Sequence, residues 1–170
     1  MDELLQTEEG LNEIEKIANH IRGTDGAPMK RSEKVSITMS AGCTAVVAII
    51  TKTHIYCANS GDSRCVLGRA FTTHELSDDH KPDNIEERER IEAAGGFVEE
   101  GRVRGILSLS RALGDLEYKQ SGHLPVEKQM ITCVPDRDSV ERKNDDQFLI
   151  LACDGIWDCL TSQEAVQMTR

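Results

Sequence analysis

Aromatic side chains are scarce in this sequence: one Trp, two Tyr and three Phe among 170 residues. Aliphatic side chains must therefore fill most of any core. No apolar run approaches the ~20 residues of a membrane helix, and the opening Met1-Asp2-Glu3 has neither the basic region nor the apolar stretch of a secretory signal. It also lacks the glycine that myristoylation requires. Positive charge is in deficit, with 20 Lys and Arg against 30 Asp and Glu and a formal net charge of −10. That balance argues against nucleic-acid binding, so any phosphate-handling site needs local cations, from metals or a few arginines. The six cysteines (Cys43, Cys57, Cys65, Cys133, Cys153 and Cys159) include no Cys-x-x-Cys pair. Reduced thiols packed as small hydrophobes in a cytoplasmic or nuclear protein are expected, with no zinc site.

What is present reads as short helices and strands in alternation, an α/β or α+β layered domain. Residues 2–22 read as a helix, with Leu11, Ile14, Ala18 and Ile21 at helical spacing and Gly10 as a weak point. Residues 23–34 are polar, contain glycines and a proline, and read as a flexible loop. The apolar runs 44–51 and 147–153 suit strands buried on both faces. Residues 54–59 and 64–67 read as strands joined by the turn Ser60-Gly61-Asp62-Ser63. Asp83 or Asn84 can cap a helix running to about Ala94, which Gly95-Gly96 stops. Residues 97–98 and 103–107 suit a hairpin around Glu100-Gly101, and 117–129 read as loop. Thr161 with Glu164 has capping-box spacing, predicting a helix that runs to the end of the chain at Arg170.

Three segments carry candidate chemistry. In Cys153-Asp154-Gly155-Ile156-Trp157-Asp158 a hydrophobic strand delivers Asp154 at its carboxyl end, with Asp158 four residues on. Hard divalent cations take such carboxylates on rigid supports, although Asp154 would serve equally as a helix cap. Asp62 in the Gly61-Asp62-Ser63-Arg64 turn is a second carboxylate at a strand end, or an ordinary turn residue. Ser63 there also invites a serine-esterase reading, which needs a histidine base, and Asp79-His80 is the only adjacent pair. In Ser110-Arg111-Ala112-Leu113-Gly114-Asp115, Arg111 has the fork geometry to grip phosphate and Asp115 adds a carboxylate; a loop salt bridge is the plainer alternative.

Taken in order, these segments resemble the type 2C metal-dependent protein serine/threonine phosphatases. Gly42-Cys43-Thr44-Ala45-Val46, Asp79-His80-Lys81-Pro82, Glu87-Arg88-Glu89-Arg90-Ile91 and Ala94-Gly95-Gly96 extend the match, which covers about residues 36–170. The resemblance implies a β-sandwich of mainly antiparallel strands flanked by helices. It also implies a binuclear Mg²⁺ or Mn²⁺ centre with a third, weaker metal position, and phosphorylated proteins as substrates. By motif, Asp154 is implied as a ligand of the binuclear centre and Asp62 as a ligand of the third position. Asp158 is implied as a ligand there or a partner of one. About 85–118 matches the family's flap beside the cleft, which contains Arg111 and Asp115.

Three family motifs are absent: an arginine followed by a Glu-Asp pair, an Asp-Gly-His-Gly, and a closing Asp-Asn. The resemblance therefore implies a catalytic domain truncated at both ends, inactive alone, marginal in stability and prone to associate. The competing reading is a catalytically silent module that holds phosphoproteins or a regulatory partner. A purely structural role leaves Asp62, Asp154 and Asp158 unexplained.

Overall fold

The computed structural model describes residues 2–24 and 26–170; Met1, and Asp25 within the expected loop, lie outside the described residues. The helices are α1 (Asp2–Leu5), α2 (Glu8–Arg22), α3 (Arg31–Ser40), α4 (Ile85–Ala93), α5 (Asp154–Trp157) and α6 (Ser162–Thr169). The strands are β1 (Gly42–Cys43), β2 (Ala45–Ile50), β3 (His54–Ser60), β4 (Arg64–Arg69), β5 (Thr72–Glu75), β6 (Val98–Glu99), β7 (Arg102–Val103), β8 (Leu113–Gly114), β9 (Asp136–Glu141) and β10 (Asp146–Ala152).

Two antiparallel three-stranded sheets, β2-β3-β9 and β10-β4-β5, form the centre. Side-chain alternation along β3 and β4 builds the layer between them. Ile55 and Cys57 from β3 meet Cys65 and Leu67 from β4, with Leu76, Val46, Ala48, Val140 and Leu149 around them. Val66 points the other way and packs with Trp157, Ala165 and Val166 under α6. A third core of Ile91, Val103, Ala112, Tyr118, Met130 and Ile131 lies under α4 and the β6-β7 hairpin. The architecture is the mixed helical and antiparallel-sheet sandwich that the sequence predicts.

Local signals explain several boundaries. Gly95 at φ 84 ends α4. Glu100 and Gly101 both have positive φ, as a tight two-residue hairpin between β6 and β7 demands. At Thr161 the capping box is complete: its Oγ1 accepts from the Glu164 N–H at 3.2 Å, and Glu164 Oε2 accepts from the Thr161 N–H at 2.9 Å. The helix it starts runs over Ser162–Thr169.

Other expectations are corrected. The helix expected over 2–22 breaks between α1 and α2, where Thr7 caps the Gly10 N–H at 3.1 Å. Gly10 lets α1 fold back, since a Cβ there would lie 2.1 Å from the Leu4 carbonyl oxygen. The loop expected over 23–34 gives way to α3 from Arg31. This helix has no apolar stripe to announce it and is held through α2: Lys34 Nζ lies 2.8 Å from Glu15, whose other oxygen accepts from the Met29 N–H at 2.5 Å. The expected loop over 117–129 contains short 3-10 turns at Leu116–Tyr118 and Val126–Lys128.

The two apolar runs expected to be buried on both faces are sheet edges instead. β2 leaves Val47, Ile49 and Ile50 exposed, and β10 leaves Leu151 exposed. Burial on both faces belongs to the central strand β4. An apolar run reports what a strand can bury, not where in the sheet it stands. Unpaired apolar edges are templates for another chain. This chain is therefore expected to self-associate, with light-scattering mass rising with concentration and falling back to the monomer in Ile49→Lys. A sharp, reversible melt of a concentration-independent monomer would contradict this.

Candidate functional site

The β3–β4 turn is fixed by its glycine. Gly61 has φ 118, and a Cβ there would lie 2.4 Å from Thr44 Cγ2. The turn therefore presents Asp62 in one way, with its side chain buried. Three consecutive residues from the β5–α4 connection clasp it. The Asp79 carboxylate takes the Arg64 guanidinium through Nε and Nη2, both at 2.9 Å. His80 Nδ1 accepts the Gly61 N–H at 3.1 Å, and the His80 backbone N–H donates to the Gly61 carbonyl at 3.1 Å. Lys81 Nζ donates to Asp62 Oδ2 at 2.6 Å.

Sheet register brings the second segment alongside. The β10–β4 ladder ends with Ala152 opposite Arg64, so Asp62 and Asp154 each stand two residues from that last pair, one ahead of β4 and the other past β10. Asp154 opens α5, and its carbonyl accepts the Asp158 N–H at 2.7 Å. Trp157, between Asp154 and Asp158 in the sequence, donates its indole N–H to the Ala152 carbonyl at 2.8 Å and lies under the Arg64 guanidinium, 5.1 Å from ring centroid to Cζ. Arg64 Nη1 also donates to Ser162 Oγ at 2.8 Å. Arg64 thus ties the Asp62 turn to the segment that carries Asp154 and Asp158. Burial alone would lower the Lys81 pKa, but the Asp62 hydrogen bond and the charges of Asp62, Asp79 and Asp158 outweigh it and raise it. Asp62, Lys81 and Asp158 therefore share one electrostatic neighbourhood.

Arg111 belongs to a neighbouring buried network. Its Nε and Nη2 hold Glu87 Oε1 at 3.0 and 2.7 Å, and its Nη1 holds the Val134 carbonyl at 3.2 Å and Asp136 Oδ1 at 2.6 Å. Glu87 Oε2 accepts from Ser110 Oγ and pairs with Arg90 at 2.8 Å. The guanidinium that could grip phosphate is held by protein groups here, as the salt-bridge alternative has it, although its partners lie outside its own loop. The network reaches the Asp62 turn through Asp136 Oδ2, which lies 3.1 Å from His80 Nε2. A cleft of about 520 Å³ opens along Asp79, His80, Glu87, Arg111 and Asp136. Asp115 lies elsewhere: burial pushes its carboxyl pKa up, and the charges acting on it are those of Lys119, Glu117 and Asp2.

The serine-esterase reading finds no base, because Ser63 Oγ pairs with Thr44 Oγ1 at 2.8 Å and the His80 ring is taken by Gly61 and Asp136. Sequence reasoning named neither Lys81 nor Arg64 nor Glu87 as functional, although Asp79-His80-Lys81-Pro82 and the Glu87-Arg88-Glu89-Arg90 run were in view. Among the described residues no three His, Cys, Asp or Glu side chains gather as a metal-holding group. The carboxylate oxygens at hand are hard donors, of the type that Mg²⁺ or Mn²⁺ takes.

The family model for protein phosphatase 2C matches residues 1–170. The chain belongs to the protein phosphatase 2C family. Protein phosphatase 2C 1 of Paramecium tetraurelia is 48% identical over 170 residues, covering 100% of this chain and 52% of that protein. Protein phosphatase 2C homolog 2 of Schizosaccharomyces pombe is 57% identical over 131 residues, covering 76% of this chain and 35% of its own length. Among solved structures, a phosphatase from a pathogenic strain of Toxoplasma gondii matches with 38% identity and a TM-score of 0.65, over 68% of this chain and 37% of that one. A sex-determining protein of C. elegans matches with 31% identity and a TM-score of 0.68, over 81% and 33%. The chain thus spans from about a third to about half the length of these relatives. Phosphatase 2C enzymes are metal-dependent as a family. No helix among the described residues is long and apolar enough to cross a membrane.

Proposed function

We propose that this chain is the central part of a metal-dependent protein serine/threonine phosphatase, hydrolysing phosphoserine and phosphothreonine in proteins of the cytoplasm or nucleus. What supports this reading is the β4–β10 pairing, which ends at Arg64 and Ala152 so that Asp62 and Asp154 each stand two residues from it, and the charge of Asp158 acting on the Lys81 that pairs with Asp62. Asp154 would hold an ion of a binuclear Mg²⁺ or Mn²⁺ centre, and Asp62 with Asp158 would hold a third. Bound ions would supply an activated water as nucleophile and neutralise charge on the phosphoryl oxygens.

The chain's own groups have separable tasks. Gly61 and His80 fix the direction of Asp62, and Arg64, through the Trp157 ring, ties the segment after β10 to that turn. Arg111 stands on the cleft wall, where a bound phosphate would compete with Glu87 and Asp136 for its guanidinium. The remaining donors would come from sequence outside these 170 residues. Since no three donors gather among the described residues, a silent phosphoprotein-binding module is the second reading.

The test is hydrolysis of a small aryl phosphate and of a phosphothreonine peptide, with and without Mn²⁺, by this chain and by the full-length polypeptide that carries it. Turnover that requires Mn²⁺ in the longer polypeptide is the expected result. Binding of the phosphopeptide with no turnover in either would establish the silent module instead.

A further inference from the structure

Lys81 places a tethered cation on the carboxylate that the metal reading also needs. Its ammonium sits 2.6 Å from Asp62 Oδ2, and the Asp62 side chain is only 5% exposed. Without a cation nearby, that carboxylate would be a buried unpaired charge. The Lys81 side chain, in contrast, is 38% exposed and has a flexible stem, so its head can leave for solvent without disturbing the backbone. Arg64, two residues after Asp62, is built the opposite way: its guanidinium is clamped by Asp79, Ser162 and the Trp157 ring. One cation at the turn is fixed and the other is displaceable.

We infer that Lys81 is a built-in competitor for the cation position at Asp62, holding that carboxylate in place until a divalent ion displaces it and thereby weakening the ion's binding there. The inference rests on the reading of Asp62 as a metal ligand and adds the residue that sets its affinity. Competition follows from charge and mass action. An ammonium and a divalent ion cannot share Asp62 at contact distance without repulsion, so each ion bound must move the ammonium away. Both Asp79 oxygens are held by Arg64, so the displaced ammonium moves out to solvent.

The single tryptophan, Trp157, lies between Asp154 and Asp158 and reports ion binding without any catalytic assay. Titration of this chain with Mn²⁺, and with Mg²⁺ as the non-paramagnetic control, is followed by Trp157 fluorescence. Lys81→Met is expected to bind either ion about tenfold more tightly than the parent. Lys81→Arg, which keeps the charge, is expected to bind like the parent or more weakly. In an Asp62→Asn background, Lys81→Met is expected to give no gain.

Unchanged or weaker binding by Lys81→Met overturns the inference, as does a gain that survives Asp62→Asn. If Asp62→Asn abolishes binding while Lys81→Met leaves it unaltered, Asp62 stands as a ligand and only the role of Lys81 falls. If neither parent nor Lys81→Met binds an ion, the inference is overturned, while the metal reading itself is decided by the turnover test on the longer polypeptide. Melting curves in chelator and in saturating Mg²⁺ give a second readout: Lys81→Met should melt lower than the parent without ion and show the larger rise with it.

Discussion

Glu87→Ala is expected to lower the unfolding free energy by about 3–5 kcal/mol, the range for removing one partner of a buried ion pair. Glu87 is 3% exposed and is the anion on which two guanidiniums converge, with Arg90 on one oxygen and Arg111 on the other. Neither arginine has solvent to fall back on, since their side chains are only 9% and 12% exposed. Removing the carboxylate also strips the Ser110 hydroxyl of an acceptor. Arg111 keeps Asp136 and the Val134 carbonyl, and Arg90 keeps the carbonyls of Gln129 and Ser110, so collapse of the fold is not required. The urea midpoint followed by Trp157 fluorescence checks the loss, with the denaturant slope unchanged. Glu87→Gln, which keeps the shape and the acceptor oxygen, should lose less. A loss below about 1 kcal/mol, the scale of a surface pair, would mean the network is not coupled to the core.

The same group gives the pH dependence its sign. Burial alone would raise the Glu87 pKa, but hydrogen bonds from Arg111 and Ser110 and the charges of Arg90 and Arg111 outweigh it and hold it below its ordinary 4.5. A carboxylate with a depressed folded pKa binds its proton later in the native state than in the unfolded one. Its stabilisation is therefore fully present above pH 4.5 and is lost as pH falls through the lower folded value. The acid limb of the stability curve should be shallower in Glu87→Gln than in the parent.

How far the sequence could be read depended on whether a residue's partners were local. The Thr161–Glu164 cap, the Gly95 stop and the Glu100-Gly101 turn are written within a few residues each, and their signals suffice. The central strands were legible from alternation. Edge position was not, because whether Val47 or Leu151 finds a neighbour depends on chain order across the sheet. α3 was hidden because its hold is a distant one, Lys34 on Glu15 of another helix. At the site, residue types pointed to carboxylate chemistry, yet pairing could not be read from spacing. Arg111 looked open because its partners Glu87 and Asp136 lie 24 and 25 residues away. Lys81 looked like part of a motif because its partner Asp62 lies 19 residues back.

Asp154→Asn is expected to remove Mn²⁺-dependent turnover from the full-length polypeptide by about 100-fold or more, since changing even a hydrogen-bonding partner of a metal ligand costs about 10–100-fold. The substitution suits the purpose because it is nearly silent structurally. Asp154 is the first residue of α5, Cys153 being the N-cap with no side-chain cap bond, so Asn there removes no capping hydrogen bond. Its carbonyl bond to the Asp158 N–H belongs to the backbone and survives. What changes is charge and donor strength at one oxygen, which a hard divalent ion feels most. Asp158→Asn is the graded companion: one residue past α5, it should weaken turnover less and respond to added Mn²⁺. Trp157 lies between them and reports whether the segment has moved, so unchanged fluorescence with lost turnover isolates the chemistry. If Asp154→Asn keeps turnover within about twofold with that signal unaltered, Asp154 is an ordinary first-turn residue of α5 and no metal ligand, because no ligand of a catalytic ion tolerates loss of its charge so cheaply.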